Sequence, residues 1–449
     1  MERTLRLCRQ MCGKAMPFRE GWFLIWRGSA SQVVGYSPIS QVEACRKVRD
    51  VRDLPHIRRQ SRKKMTEKNQ INRRREEFPT LASGLHLLSH SLGPVPRAAR
   101  ESMLAYYDAW EHHTSEDAWA TSWWEMSVQV GDRIASLLGG EADSVQIQPN
   151  ASIALSSVAS CFDFSGNQRN KIVTTALDFP SMQYIWDAQS RAGATVEAVR
   201  SDDGITVRLE DILEAIDDTT CLVALSHVSF RSSYRVDVEP IVERAHRQGA
   251  LVLLDVYQSA GAVELKASDW QVDFLIGGTI KWLCGGPACG YLYVRPDLQT
   301  DLQPRLTGWV AHAAPFDFAQ PPMRYTDSVR RFAQGTPSIP ALYSVLPGLQ
   351  IIEEVGVKTI QAESRRRTEW MMDFALEHGW KVNSPRDVNE RGGSVMIYVE
   401  DGPAMVKRLA ERKVFVDCRP GVGLRMSPHF FNTDEEVREA MEILADTIE

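Results

Sequence analysis

The sequence predicts an α/β fold built on a mainly parallel sheet. Short runs rich in Val, Ile and Leu alternate along the middle of the chain with segments whose apolar residues recur at helical spacing, which is the pattern of doubly wound sheets. Strands are predicted at residues 171–175, 195–199 and 221–225, and helices at 209–216 and 238–248. The chain of 449 residues is long enough for one large or two ordinary domains with a full core.

Three further apolar runs follow, at residues 251–254, 272–276 and 290–294, and each is bounded by Gly, Asp or Pro. The first run ends on Asp255, and the second leads through a Gly-Gly-Thr turn to Lys281. Ligands of open α/β sheets bind at the carboxyl ends of the strands. Asp255 and Lys281 are therefore expected to meet at one edge of the sheet.

Lys281 lies among the apolar residues Ile280, Trp282 and Leu283. Desolvation lowers the pKa of a lysine and makes its amine a nucleophile toward carbonyl groups. The same neighbours also suit a structural lysine whose stem is buried and whose charged end reaches water. The lysine by itself leaves both interpretations open.

The spacing of Asp255, Gln258 and Lys281 resembles that of the pyridoxal-phosphate enzymes of the class V aminotransferase family, and of the kynureninases most closely. In these enzymes an Asp-x-x-[His/Gln] sequence follows a strand, and the Schiff-base lysine precedes a Gly-rich turn, here Gly285-Gly286-Pro287. The resemblance extends from about residue 85 to the C-terminus. It implies fold type I, with a mainly parallel seven-stranded sheet in a large domain and a small α/β C-terminal domain.

The resemblance also divides the chain. Residues 76–115 are expected to pack with the small domain, 116–340 to form the large cofactor-binding domain, and 341–449 to form the small domain. In the small domain, helices are predicted at 341–355, 363–378 and 403–411, and strands at 394–398 and 414–416.

The resemblance assigns roles to residues around the cofactor, pyridoxal 5′-phosphate. Lys281 would bind it as a Schiff base and then act as general base, while Asp255 would keep the pyridine nitrogen protonated. The turn Asn150-Ala151-Ser152 joins a strand to a helix, and helix N-termini bind phosphate. Phe179, in Asp-Phe-Pro-Ser, would stack on the ring. The cofactor-binding set is completed by Gln258 and Thr279.

Other matching segments are expected to bind the substrate or to reach a second subunit. Arg425 lies in an Arg-x-Ser-Pro sequence, and its planar fork suits an α-carboxylate. His90 and His312 are further candidates for substrate contact. Trp309 and Thr336 match segments that reach the phosphate of the neighbouring subunit in such enzymes, which implies a homodimer with shared active sites.

The implied activity is the conversion of an α-amino acid bound to the cofactor as a Schiff base. A kynureninase-like hydrolysis, which cleaves the Cβ–Cγ bond, is favoured by the overall pattern. Two departures keep other reactions open: Ile280 replaces the tyrosine of kynureninases, and Gln258 replaces their histidine. An aminotransferase, or a β-lyase or desulfurase, acting on another amino acid is the alternative.

Composition excludes some classes of protein. No apolar run approaches the length of a membrane span. The eight cysteines lack metal-site spacing and are expected to be reduced thiols in the cytoplasm. Residues 1–75 carry 19 Lys and Arg against 6 Asp and Glu, whereas the remainder carries a net charge of −19. The acidic body is thus not expected to bind nucleic acid.

Three interpretations of the basic extension are considered. It would be a disordered tail that contacts nucleic acid or acidic surfaces, a targeting segment, or a stretch that is not translated. The last is favoured, because Met65 is a plausible start. A nucleic-acid binder with a basic tail, or a non-catalytic protein of the same fold, would be the alternatives to an enzyme. The intact Asp255, Lys281 and Arg425 favour the enzyme.

Overall fold

The computed structural model describes residues 74–113, 115–166 and 168–448. The basic extension predicted over residues 1–75 lies almost wholly outside the described residues. No helix in the described ranges is both long and apolar enough to cross a membrane.

A seven-stranded sheet forms the centre of the molecule, as predicted. Its spatial order is β2-β8-β7-β6-β5-β3-β4, and every neighbouring pair is parallel except the two that β8 makes with β2 and β7. The strands are β2 Val145–Gln148, β3 Lys171–Thr175, β4 Thr195–Val199, β5 Thr220–Ser226, β6 Leu251–Asp255, β7 Phe274–Gly278 and β8 Gly290–Val294.

Helices cover both faces of this sheet, so alternate strand residues enter two separate cores. In β6, Val252 and Leu254 belong to one core, whereas Leu253 belongs to the other. Burial on both faces explains why these strands appear in the sequence as continuous apolar runs. The helices up to residue 355 are α1 Ala98–His112, α2 Ser115–Ala118, α3 Trp124–Leu137, α4 Ala151–Ala159, α5 Pro180–Gln189, α6 Leu209–Ala215, α7 Val238–Arg247, α8 Ala267–Trp270 and α9 Ile339–Val355.

The C-terminal part has its own sheet and its own core. Strands β11 Asp417–Arg419, β12 Gly423–Met426 and β9 Val395–Ile397 form an antiparallel sheet in that order. The surrounding helices are α10 Val357–Glu377, α11 Gly402–Glu411 and α12 Asp434–Ile448. A third hydrophobic cluster, which includes Met371, Leu409 and Leu444, fills the space between them.

The N-terminal segment is attached to this C-terminal part. Strand β1 (Leu85–His86) pairs in parallel with β10 (Val414–Phe415), and α1 packs against α9. Gly93 then donates its N–H to the Ile280 carbonyl, at 2.9 Å. A Cβ atom on Gly93 would lie 2.0 Å from the Lys281 carbonyl oxygen, so only glycine allows this close approach. The domain boundaries at 115/116 and 340/341 stay predictions.

Several elements differ in extent from their prediction. Apolar residues at helical spacing predict one helix over residues 118–138, but a π-helical turn at Trp119–Trp123 interrupts it. Strand β7 begins at Phe274, two residues after the predicted start at 272, and the Asp273 carboxylate just before it accepts the Val252 N–H at 2.6 Å. Helix α10 begins six residues before the predicted start at 363, directly after Gly356 at φ +84°. The β11–β12 hairpin and α12 were not predicted.

Candidate active site

A cavity of about 250 Å³ opens at the carboxyl ends of the parallel strands. Ser226 and Asp255 end β5 and β6, and Lys281 follows β7. Because β2 and β3 also end at this edge, the turns that follow them reach the same cavity. The lining residues are Asn150, Ala151, Ser152, Leu155, Phe179, Ser181, Met182, Ser226, Val228, Phe230, Asp255, Tyr257, Gln258, Ile276 and Lys281.

The Lys281 amine is largely desolvated. Burial lowers the pKa of Lys281 to about 8, although the nearby Asp255 carboxylate acts in the opposite direction. The Nζ atom lies 4.3 Å from the centre of the Tyr257 ring and 5.8 Å from that of Phe179. A substantial fraction of neutral amine is therefore present near pH 8, as a nucleophile or a base requires.

Asp255 presents one carboxylate oxygen to the cavity. Its Oδ1 accepts the Tyr257 N–H at 2.8 Å, and no described residue donates to Oδ2. Burial raises the pKa of Asp255 to about 6, while the hydrogen bond and Lys281 favour the ionised form. Above pH 6 the group is thus mostly a carboxylate, which can pair with a protonated ring nitrogen.

The turn before α4 supplies backbone N–H groups to the opposite end of the cavity. The Asn150 side chain caps the helix by accepting the Ile153 N–H at 3.0 Å. This leaves the N–H groups of the first residues, including Ala151 and Ser152, available to an anion. Gly290 allows the turn to pack against β8, because a Cβ there would lie 2.5 Å from the Asn150 carbonyl carbon.

Phe179 provides an aromatic face for the cavity. Its ring is 42% exposed and meets the Phe230 ring edge-on, at 5.1 Å between centroids. The preceding Asp178 is buried and fixes the backbone, since it accepts hydrogen bonds from Thr174 Oγ1, Thr175 N and Ser226 N at 2.6–2.7 Å. The ring is thus held at the cavity without filling it.

Gln258 and Thr279 have their polar groups engaged within the protein. Gln258 lines the cavity, but its Nε2 donates to the His90 carbonyl at 3.0 Å and its Oε1 accepts from Trp282 Nε1 at 3.1 Å. The Thr279 hydroxyl donates to the Gly286 carbonyl at 2.9 Å, and Thr279 lies outside the cavity lining. Direct cofactor contacts by these two side chains stay predictions.

Arg425 and His90 meet at a carboxylate that sequence reasoning missed. Asp417 accepts from Arg425 Nε at 2.8 Å and from Nη2 at 2.6 Å, and its Oδ1 lies 2.9 Å from His90 Nε2. Both Arg425 and His90 are buried, and neither lines the cavity. The signal available in the sequence was an acidic residue eight positions before Arg425.

Trp309, His312 and Thr336 lie away from the cavity of their own chain. Trp309 packs on Trp124, at 5.7 Å between ring centroids. His312 accepts the Ala314 N–H at its Nδ1, and Thr336 is exposed. The structure of one chain therefore does not bring these three residues to the site, and their predicted roles depend on a second subunit.

Tyr257 is a cavity residue that sequence reasoning also missed. It lies two residues beyond Asp255, and burial raises the pKa of its phenol to about 12. A Cβ atom on Gly278 would lie 2.4 Å from the Tyr257 hydroxyl, so the glycine makes room for this ring. The face of the Tyr257 ring lies under the Lys281 amine, whereas its hydroxyl packs against Gly278.

Comparisons with known proteins agree with this arrangement. The family model described as Aminotransferase class-V matches residues 87–438. The uncharacterized aminotransferase YcbU of Bacillus subtilis is 33% identical over 378 residues, which cover 83% of this chain and 97% of the relative. A protein named kynureninase from Shouchella clausii is 28% identical over 389 residues, covering 83% and 90%.

Solved structures share the fold. The apo cysteine desulfurase from Thermococcus onnurineus has a TM-score of 0.75 at 22% identity, covering 84% of this chain and 97% of that chain. A C-DES variant with glycine covalently linked to its PLP cofactor has a TM-score of 0.74 at 21% identity, covering 83% and 99%.

The lowered pKa of Lys281 predicts how the apoprotein reacts with pyridoxal 5′-phosphate. The neutral amine is the nucleophile, so the reaction rate should rise with pH and level off above about 8. Stopped-flow absorbance between about pH 6 and 10 measures this. In Asp255→Asn the midpoint should move to lower pH, because the carboxylate that favours the charged lysine is gone. A rate that still climbs toward the ordinary lysine pKa would contradict the site geometry.

Proposed function

This chain belongs to the class V aminotransferase family of pyridoxal-phosphate-dependent enzymes, and we propose that it hydrolyses the Cβ–Cγ bond of an α-amino acid in a kynureninase-like reaction. The observation that carries the proposal is the desolvated Lys281 amine, which shares one cavity with the Asp255 carboxylate and the N-terminus of α4. The substrate class is an amino acid with a carbonyl group at Cγ.

The residues present fit the cofactor. The first N–H groups of α4 suit a phosphate, and the Phe179 ring offers a stacking face. The Asp255 Oδ2 is available to hold a proton on the pyridine nitrogen, and Lys281 is available for covalent attachment. When bound, the cofactor supplies an electron sink that stabilises negative charge at the substrate Cα.

The residues of this chain then perform the proton transfers. Lys281 removes the proton from the substrate Cα, which its lowered pKa favours near neutral pH. Arg425 binds the α-carboxylate. Hydrolysis at a γ-carbonyl also needs a proton donor, and Ile280 offers none. The neutral Tyr257 phenol, beside Lys281 in the cavity wall, supports the hydrolytic reaction as a substitute donor.

Transamination is the second candidate. The relative YcbU, at 33% identity, is named an aminotransferase, whereas the kynureninase of Shouchella clausii is 28% identical. Transamination needs no proton donor at a γ-carbonyl, because Lys281 can carry out its proton transfers. This reaction would therefore tolerate Ile280 and Gln258 at their positions.

Desulfurase chemistry has less support. A desulfurase that takes the substrate sulfur onto its own cysteine needs a reactive thiol at the site, and none of the described cysteines lines the cavity. A β-lyase, which expels its leaving group by elimination, needs no such thiol and stays an alternative. Cys284 and Cys289 are buried, and burial raises the pKa of Cys289 to about 12. We further propose a cytoplasmic location, which the free cysteines in the described ranges support.

Product analysis distinguishes these reactions. The holoenzyme should convert L-kynurenine or 3-hydroxykynurenine to alanine and the corresponding anthranilate, and Lys281→Ala should lose this activity by at least about a hundredfold because it lacks the base. Chromatography of the products measures both. A keto acid together with a pyridoxamine absorption spectrum would instead identify a transaminase, and the absence of turnover with either amino acid would reject this substrate class.

We also propose a homodimer whose active sites contain residues from both chains. Trp309, Phe316 and Phe318 form an exposed aromatic cluster, with exposed fractions of 39%, 45% and 73%. Trp124 and Arg330 extend this surface. A second copy of the chain would cover the cluster and receive Trp309, His312 and Thr336 near its own site.

Replacing one ring of this cluster tests the dimer. Phe316→Glu places a charge in the proposed interface and should shift the protein from dimer to monomer in sedimentation equilibrium, with weaker binding of the cofactor. Tyr398→Glu is the matched control, because Tyr398 is also 45% exposed but lies outside the cluster. If both variants stay dimeric, or if the unmodified protein is a monomer, the interface is elsewhere or absent.

A further inference from the structure

Asp417 occupies one side of the Arg425 guanidinium. The two residues face each other across the β11–β12 hairpin, where they are register partners. The carboxylate accepts from Nε at 2.8 Å and from Nη2 at 2.6 Å. This is a bidentate pair of the kind that fixes the plane of an arginine. A substrate carboxylate thus cannot use the same edge.

The terminal edge of Arg425 remains for the substrate. A guanidinium has five N–H donors, and Asp417 uses two of them. A third, on Nη1, donates to the Phe230 carbonyl at 3.2 Å. One N–H on Nη1 and one on Nη2 are left. Phe230 lines the cavity, and its carbonyl accepts from Nη1, so the guanidinium lies directly behind this part of the cavity wall.

His90 contacts the same Asp417 carboxylate. The His90 ring is buried, with Nε2 2.9 Å from Asp417 Oδ1 and Nδ1 2.6 Å from Ser427 Oγ. Burial keeps the imidazole neutral, with its pKa lowered to about 4, whereas its hydrogen bond and that of Arg425 hold the pKa of Asp417 well below the usual range. A neutral ring has one N–H, and the ionised carboxylate requires that it be on Nε2. Nδ1 then lies 2.6 Å from Ser427 Oγ, whose single proton is shared between this nitrogen and the Leu87 carbonyl.

We propose that His90 and Asp417 are positioning residues, which orient Arg425 so that the α-carboxylate of the substrate binds across its Nη1 and Nη2 atoms. This inference rests on the proposed action on α-amino acids. His90 was expected to contact the substrate directly. In this proposal it instead contacts Asp417, which in turn binds Arg425. Recognition of the α-carboxylate then depends on a carboxylate of the protein itself.

Two ligands that differ only in the α-carboxylate test whether His90 and Asp417 position Arg425. L-Alanine and ethylamine differ by the carboxylate, so the ratio of their dissociation constants measures recognition of that group. Spectral titration of the holoenzyme gives both constants without requiring turnover. In Asp417→Asn the amide loses the charge and one acceptor, so alanine binding should weaken by at least about tenfold while ethylamine binding changes by less than about twofold.

Variants at His90 provide a second series if Asp417→Asn does not fold. His90→Ala should reduce the preference for alanine, and His90→Gln, which keeps an N–H donor, should restore part of it. Arg419→Gln is the control: Arg419 contacts the same carboxylate at 3.1 Å but is 42% exposed, so solvent screens it and the ratio should stay within about twofold of wild type.

The possible results distinguish a failure of the positioning role from a failure of the proposed function. Equal weakening of alanine and ethylamine would show that the cluster only maintains the fold and would overturn the inference, as would unchanged binding of both. If the unmodified holoenzyme gives no spectral response to any amino acid, the proposed function itself fails and the inference fails with it.

Discussion

The desolvation of one amine governs the architecture of the site. A protonated lysine at position 281 is disfavoured by burial, and the protein offsets this with the Asp255 carboxylate and the faces of two aromatic rings. The backbone of the lysine is covered as well, because Gly93 packs directly on the Lys281 carbonyl group. The result is an amine held partly neutral near physiological pH in the wall of the cavity.

The sheet explains why residues from distant parts of the chain meet around this amine. Strands β2, β3, β5, β6 and β7 all end at the same edge, so the turns that follow them all deliver residues to the cavity. The antiparallel β8 returns the chain without adding a turn there. The C-terminal hairpin brings Arg425 to this edge from a separate sheet and core, with Asp417 as its fixed partner.

The sequence was informative where function depends on local pattern. Asp255 ends one buried strand and Lys281 follows another, so their convergence could be predicted from strand ends alone. The place of Asn150 beside them came from the family resemblance. The helix α12 was also detectable, because Val437, Ala440, Met441 and Leu444 recur at helical spacing and are buried. What could not be predicted was the pairing of polar groups across the fold. The partners of His90 and Arg425 depend on the register of a hairpin, and Tyr257 became visible only once the ring was placed beside Lys281.

Chemical trapping of the cofactor tests the central claim most directly. The holoenzyme would be reduced with borohydride, digested and analysed by mass spectrometry to locate the pyridoxyl group, since reduction makes the Schiff base permanent. A single modification at Lys281, absent from Lys281→Ala, is the predicted result. Modification at another lysine, or at several with similar yield, would contradict the view that the buried amine at the end of β7 is the reactive group.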